Sequence, residues 1–202
     1  MNRRTLLVAA VVVVLAAGAA GAAVALSGGS GERLTSVSFP GYDLSFRYPA
    51  AWKRENWCWT GTVTSPIAVL TSARGLKACH QGNGFVAGSA FPPPQLLHAG
   101  ELTVSWLYTT RAPAHAAPAN TTVGGRPASV RLGWTRVPHV RVIKVGAICG
   151  RAGTRERTLV AEIPHVLTHA GLVRASALIC GPNFAAGEQA VRRVLATVRF
   201  TG

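Results

Sequence analysis

The stretch FAAGEQAVRRVLATV, residues 184–198, decides the fold class of this 202-residue chain. Its apolar residues recur at helical spacing, and most of its charged residues lie elsewhere around the helix. The pattern therefore predicts an amphipathic helix that begins after Asn183 and ends at Thr197. The segments before it read as strands. Many strands followed by one helix predict an α+β domain, an antiparallel β-sheet with a C-terminal helix packed on it.

The strand predictions rest on alternating apolar and polar residues between turn residues. Leu34–Phe39 and Asp43–Tyr48 flank a Pro-Gly turn and predict a hairpin. The same alternation predicts that Trp106 and Trp134 are buried. Residues 93–100, with proline near the start and glycine at the end, predict a short helical turn. The remaining predicted strands are Pro66–Ser72, Glu101–Tyr108 and a meander of Ala128–Thr135, His139–Ile148, Arg157–Ile163 and Leu172–Cys180.

An uncharged apolar run occupies residues 5–26 and follows the arginine pair Arg3-Arg4. As a helix this run rises about 33 Å, which is enough to cross a hydrocarbon core of about 30 Å. The arginines keep its start on the cytoplasmic side. We expect an N-terminal transmembrane anchor or signal helix at 1–26, a linker at 27–32 and one extracytoplasmic domain at 33–202. A retained anchor gives a single-pass protein of the cell membrane, and a cleaved signal gives a secreted protein as the alternative.

The chain is strongly basic, with 21 Lys and Arg against seven Asp and Glu and a formal net charge of +14. Such a charge attracts anionic envelope polymers or lipid headgroups. The alternative is codon bias in a GC-rich bacterial genome, and the single, scattered arginines favour it. Nucleic acid is disfavoured as a partner because the domain is expected outside the cytoplasm.

The four cysteines are Cys58, Cys79, Cys149 and Cys180. An even number in an exported domain favours disulfides, with three connectivities open and four reduced thiols as the alternative. We favour Cys58–Cys79 and Cys149–Cys180, which close loops of about 20 and 30 residues. If the last three predicted strands pair in sequence order, however, Cys149 and Cys180 lie two strands and about 9.5 Å apart, too far for a disulfide.

The titratable residues do not form a recognisable catalytic pattern. Asp43 is the only aspartate, the glutamates are scattered, and no Gly-x-Ser-x-Gly motif occurs. His165 and His169 have a metal-like spacing, but Pro164 and Gly171 place them on a connecting loop. We therefore predict no enzyme activity, no metal site and no cofactor. A hydrolase with an unrecognised site is the distant alternative.

The segment Trp57-Cys58-Trp59 offers a binding surface. In an extended chain the two indoles share one face, where they stack on sugars or hold a protein partner. Trp57 and Trp59 are accordingly the candidate partner-binding residues.

Three motifs resemble those of PsbP-like α/β sandwich domains. Residues 44–52, LSFRYPAAW, look like the opening apolar-x-Phe-x-Tyr-Pro-x-x-Trp motif of that family, and residues 194–200, VLATVRF, are similar to its terminal helix and tail. Residues 124–128, GGRPA, resemble its Gly-x-Pro-Ala turn. The resemblance spans residues 33–202 and implies an antiparallel sheet with helices against it. It implies no shared active site, and the cysteines look like those of exported bacterial relatives.

The function predicted from the sequence is that of a non-catalytic, membrane-tethered extracytoplasmic domain. It contacts the membrane through its N-terminal helix and binds an envelope protein or another cell-envelope partner. The alternative is a secreted protein that binds a small ligand or an anionic envelope polymer through its basic surface.

Overall fold

Antiparallel strands make up most of the folded chain, and one helix follows them near the C-terminus. The computed structural model describes residues 32–55, 64–74, 95–110, 117–136, 147–150 and 155–201. The helix, α1, is Phe184–Ala196. The strands are β1 (Leu34–Phe39), β2 (Leu44–Pro49), β3 (Lys53–Glu55), β4 (Thr64–Thr71), β5 (Gln95–Leu97), β6 (Leu102–Thr109), β7 (Thr121–Val123), β8 (Arg126–Arg136), β9 (Ala147–Cys149), β10 (Arg155–Pro164), β11 (Leu172–Ile179) and β12 (Arg199–Phe200).

The main sheet has seven strands in the order β3-β4-β6-β11-β10-β8-β7, and all neighbouring strands are antiparallel. Strand β10 pairs with β8 on one side and with β11 on the other. In this register Glu162 of β10 lies opposite Arg174 of β11 and Ser129 of β8. Side chains alternate between the two faces along each strand, so the sheet has an inner face toward the core and an outer face.

The second layer consists of a three-stranded sheet, in the order β1-β2-β12, and α1. A 3-10 turn at Pro40–Tyr42 joins β1 to β2, and Asp43 takes a left-handed conformation at φ 48° just before β2. The end of α1 is tied to β2 by Thr197. The Thr197 hydroxyl accepts a hydrogen bond from the Arg47 backbone N–H at 2.8 Å and lies 3.0 Å from the Arg47 carbonyl oxygen.

The apolar core lies between the inner face of the main sheet and this second layer. Trp106 of β6 is fully buried and stacks on Phe46 of β2, with ring centroids 4.5 Å apart. From α1, the residues Val191, Val194 and Leu195 are buried in the same cluster. The α+β class, the β1–β2 hairpin, the burial of Trp106 and the C-terminal helix are therefore confirmed.

One secondary-structure prediction is wrong. The segment predicted as a short helical turn contains β5, which pairs in parallel with β9 to form a separate two-stranded sheet. The predicted strand His139–Ile148 lies outside the described residues apart from its last two, which belong to β9. In the described meander β8 pairs directly with β10, from Arg136↔Arg155 to Ser129↔Glu162.

The predicted N-terminal segment 1–26 falls outside the described residues, as does the linker apart from Glu32. Within the described ranges, no helix has the length and apolar character needed to span a membrane. One compact unit begins at Leu34 and contains all the strands named above.

Candidate binding surface

An exposed tryptophan lies where the inner face of the main sheet extends beyond the core. Along β10 the odd-numbered residues Leu159, Ala161 and Ile163 are buried, so Arg157 lies on the inner face with them. Trp134 of β8 pairs with Arg157 and shares this face, yet 45% of the residue is exposed. The prediction that Trp134 is buried is therefore wrong. The alternation gives its face correctly, but this end of β8 reaches past the layer that covers the core.

Two guanidinium groups pack on the Trp134 ring. The guanidinium carbon of Arg155 lies 4.4 Å from the ring centroid, and that of Arg157 lies 4.8 Å from it. Cation–π contacts of this kind contribute about 0.5–1 kcal/mol each at exposed sites. Arg155 and Arg157 are two residues apart on one strand, so both project from the same face. The ring and the two guanidiniums therefore form one ordered cluster at the surface.

The first turn of α1 braces this cluster. Phe184, the first residue of the helix, meets Trp134 edge-on, with ring centroids 4.8 Å apart and an interplanar angle of 80°. One turn later Glu188 accepts hydrogen bonds from Arg157 at 3.5 Å and from Arg192 at 3.0 Å. We call the set Trp134, Arg136, Arg155, Arg157 and Phe184 the Trp134 surface, since Arg136 pairs with Arg155 on the same face.

The Trp134 surface carries an excess of positive charge. Among the described residues no salt bridge joins Arg136 or Arg155 to a carboxylate, and Arg157 shares Glu188 with Arg192. The nearest acidic residues of β10, Glu156 and Glu162, do not neutralise this charge, because they lie on the opposite face of the strand. The surface is thus electropositive and has an aromatic centre.

The carboxylates on the outer face have structural partners. Glu162 is buried and accepts hydrogen bonds from Arg131 at 2.6 Å and from Arg174 at 2.6 and 3.1 Å. Glu156 is also buried and accepts a hydrogen bond from the Cys149 backbone N–H at 2.9 Å. These two glutamates are six positions apart on one strand, which is about 20 Å along it. A glycosidase pair needs carboxyl groups about 5–9.5 Å apart, so these two do not form one.

A disulfide joins Cys149 at the end of β9 to Cys180 directly after β11, with Cα atoms 5.3 Å apart. This pairing is the one predicted. The expected separation of two strand spacings, about 9.5 Å, does not arise, because β9 belongs to the small sheet with β5. Both cysteines are buried with Ala73 and Leu97 in a second apolar cluster. The other predicted pair, Cys58–Cys79, lies outside the described residues.

His165 and His169 lie on the exposed loop between β10 and β11, as predicted. Their rings stack with centroids 4.9 Å apart, and Nδ1 of His165 lies 2.6 Å from the His169 carbonyl oxygen. In the described part of the chain, no group of three or more His, Cys, Asp or Glu side chains is placed to hold a metal ion.

The predicted partner-binding residues Trp57 and Trp59 fall outside the described residues, so their role stays a prediction. Arg155, Arg157 and Trp134 were not predicted from the sequence as binding residues. The sequence does contain a feature that indicates this surface. In Arg155-Glu156-Arg157, the arginines occupy the inner-face positions that apolar residues occupy further along the same strand.

Comparison with protein-family models finds no match, and comparison with curated proteins finds none either. A solved structure from Bacteroides thetaiotaomicron is similar at 11% sequence identity with a TM-score of 0.40. The alignment covers 83% of this chain and 48% of that one, so the chain spans about half the length of that structure.

Proposed function

We propose that this protein is a non-catalytic extracytoplasmic binding domain, held at the membrane by its N-terminal segment, and that the Trp134 surface contacts its partner in the cell envelope. The observation that carries the proposal is that Trp134 is 45% exposed while its ring packs against two arginines and Phe184. A large aromatic side chain that is already ordered loses little entropy on binding. Tryptophan and arginine are also the residues that dominate binding energy at protein interfaces.

Two features support an extracytoplasmic location. The apolar run at residues 5–26 follows two arginines, the pattern of a segment that starts on the cytoplasmic side. The Cys149–Cys180 disulfide agrees with an oxidising compartment. The two-layer arrangement of the domain agrees with the PsbP-like α/β sandwich that the sequence motifs resemble. A secreted protein with the same surface is the second candidate, because the apolar run contains small-x-small triplets that match the pattern of a signal cleavage site.

Site-specific photo-crosslinking in intact cells tests the binding surface. A photoreactive phenylalanine analogue replaces Trp134 in one variant and Leu167 in a control. Leu167 is also 45% exposed, but it lies on the loop between β10 and β11. We expect discrete adducts from position 134 and none from position 167. Equal labelling at both positions, or no adduct at position 134, contradicts the proposal.

Membrane fractionation tests the tether. An intact N-terminus in the membrane pellet supports the anchor. A mature protein in the medium that begins near Leu26 supports the secreted alternative and rules out the anchor.

A further inference from the structure

The chemistry of the Trp134 surface points to a defined ligand. We propose that Arg155 and Arg157, held on the Trp134 ring, bind the phosphodiester groups of an anionic cell-envelope polymer. The proposal rests on the proposed function, since it names the partner of the same surface.

The packing of the two guanidinium groups on Trp134 favours the binding of a phosphate. A guanidinium stacked on an aromatic ring uses its flat face for that contact and keeps its N–H groups at the edge. The guanidinium carbons of Arg155 and Arg157 lie over the Trp134 ring, 4.4 and 4.8 Å from its centroid, and one N–H group of Arg157 also contacts Glu188 at 3.5 Å. Edge N–H groups in a planar fork match the paired oxygens of a phosphate. Because the ring already holds both side chains, part of the entropy cost of binding is removed beforehand.

The positive charge around Arg155 and Arg157 also favours an anionic ligand. Arg136 and Arg192 add positive charge around the pair, and Glu188 supplies the one carboxylate that contacts them in the described structure. Asn183 makes no side-chain cap at the start of α1, and the first turn holds no acidic residue. The positive end of the helix dipole therefore adds to the same field.

The repeated negative charge of a phosphodiester polymer also suits this surface. A phosphodiester carries one negative charge on every repeat at physiological pH, so a polymer presents a continuous series of anions. The chain as a whole carries a net charge of +14, which draws such a polymer to it from any direction. The Trp134 surface then supplies the fixed, paired donors that scattered arginines lack.

The test uses the full chain in a non-ionic detergent and fluorescently labelled poly(glycerol phosphate) as the probe, with binding measured by fluorescence anisotropy. The test variant carries Arg155→Gln and Arg157→Gln. The control variant carries Arg47→Gln and Arg54→Gln, which remove the same charge from exposed positions elsewhere. Arg47 contacts the far end of α1, and Arg54 lies on β3 at the opposite edge of the main sheet from β8. Thermal unfolding of each variant establishes that it is folded.

We expect binding of the test variant to be about 10- to 100-fold weaker, as the loss of charge-assisted hydrogen bonds implies, and the control to change by less than about twofold. A variant with Arg155→Lys and Arg157→Lys keeps the charge but loses the planar forks, and we expect it to bind with intermediate affinity. Equal weakening in the test and control variants contradicts the site, because net charge alone then explains the binding.

Further probes separate the ligand classes. Polygalacturonate carries carboxylates, vesicles with anionic phospholipids present lipid headgroups, and poly-glutamate stands for an acidic protein. Equal or tighter Arg155- and Arg157-dependent binding to polygalacturonate or poly-glutamate overturns the phosphodiester assignment. Equal or tighter binding to the vesicles, whose headgroups are themselves phosphodiesters, overturns the assignment to a polymer. Adducts from position 134 in cells without any effect of the arginine substitutions would leave the proposed function standing and remove this inference.

Discussion

Removing the Cys149–Cys180 disulfide tests how the small β5–β9 sheet is held. The two cysteines are 31 residues apart, and the chain-entropy model gives a stabilisation of about 3.7 kcal/mol for a loop of this length. For a protein of this size, 1 kcal/mol shifts the melting temperature by about 2–4 °C. The double variant with Cys149→Ala and Cys180→Ala should therefore melt about 7–15 °C lower than the wild type.

The loss should also be local. Apart from the disulfide, β9 is held by three residue pairs with β5, a small apolar cluster and the hydrogen bond from the Cys149 N–H to Glu156. Hydrogen exchange should therefore accelerate at Leu97 before it does at Trp106 in the core. Urea unfolding gives the free energy, and peptide mapping of the wild type under non-reducing conditions gives the pairing. A loss below about 1 kcal/mol, or a peptide that joins Cys149 to Cys58 or Cys79, refutes the reasoning.

Two further substitutions test the packing between the layers. Trp106→Ala removes a fully buried ring that stacks on Phe46. The free energy of unfolding measured in urea should therefore fall by about 3–5 kcal/mol. A fall below about 1 kcal/mol would mean that Trp106 is not in the core. Gly124→Ala should destabilise more than Gly125→Ala in thermal unfolding. Both glycines have positive φ, so the backbone strain of the substitution is shared. Only at Gly124 would the added Cβ lie 2.8 Å from a ring carbon of Phe200 in β12, so equal effects contradict this packing.

The elements that could be predicted are those whose pattern is complete within a short segment. In β2, Leu44, Phe46 and Tyr48 alternate toward the core, and Pro49 ends the strand. The helix at 184–196 repeats its apolar residues every three or four positions. In both cases the residues that determine the element lie within about 13 positions of one another, so no knowledge of the rest of the fold is needed.

The elements that could not be predicted depend on distant partners. Residues 95–97 form a strand only because β9, about 50 residues later, pairs with them in parallel. Nothing within the segment itself distinguishes this strand from a helical turn. Trp134 shows the same limit for burial. Its alternation with Leu132 gives the inner face, but the extent of the covering layer decides that Leu132 is partly buried while Trp134 is exposed.

The ion cluster of Arg131, Glu162 and Arg174 on the outer face also bears on how β10 aligns with its neighbours β8 and β11. A shift of β10 by one residue would exchange its faces and bring Glu162 into the apolar core, where an unpaired carboxylate costs several kcal/mol. A shift by two residues would keep the faces but take Glu162 out of its position opposite Arg174, and in one of the two directions it would also carry Glu162 further from Arg131, which lies opposite Val160. Apolar alternation thus excludes the odd shifts and ion pairing disfavours the even ones. The Glu162–Arg174 pair therefore favours the observed alignment of β10 with β11, while the alignment of β10 with β8 brings Arg157 opposite Trp134.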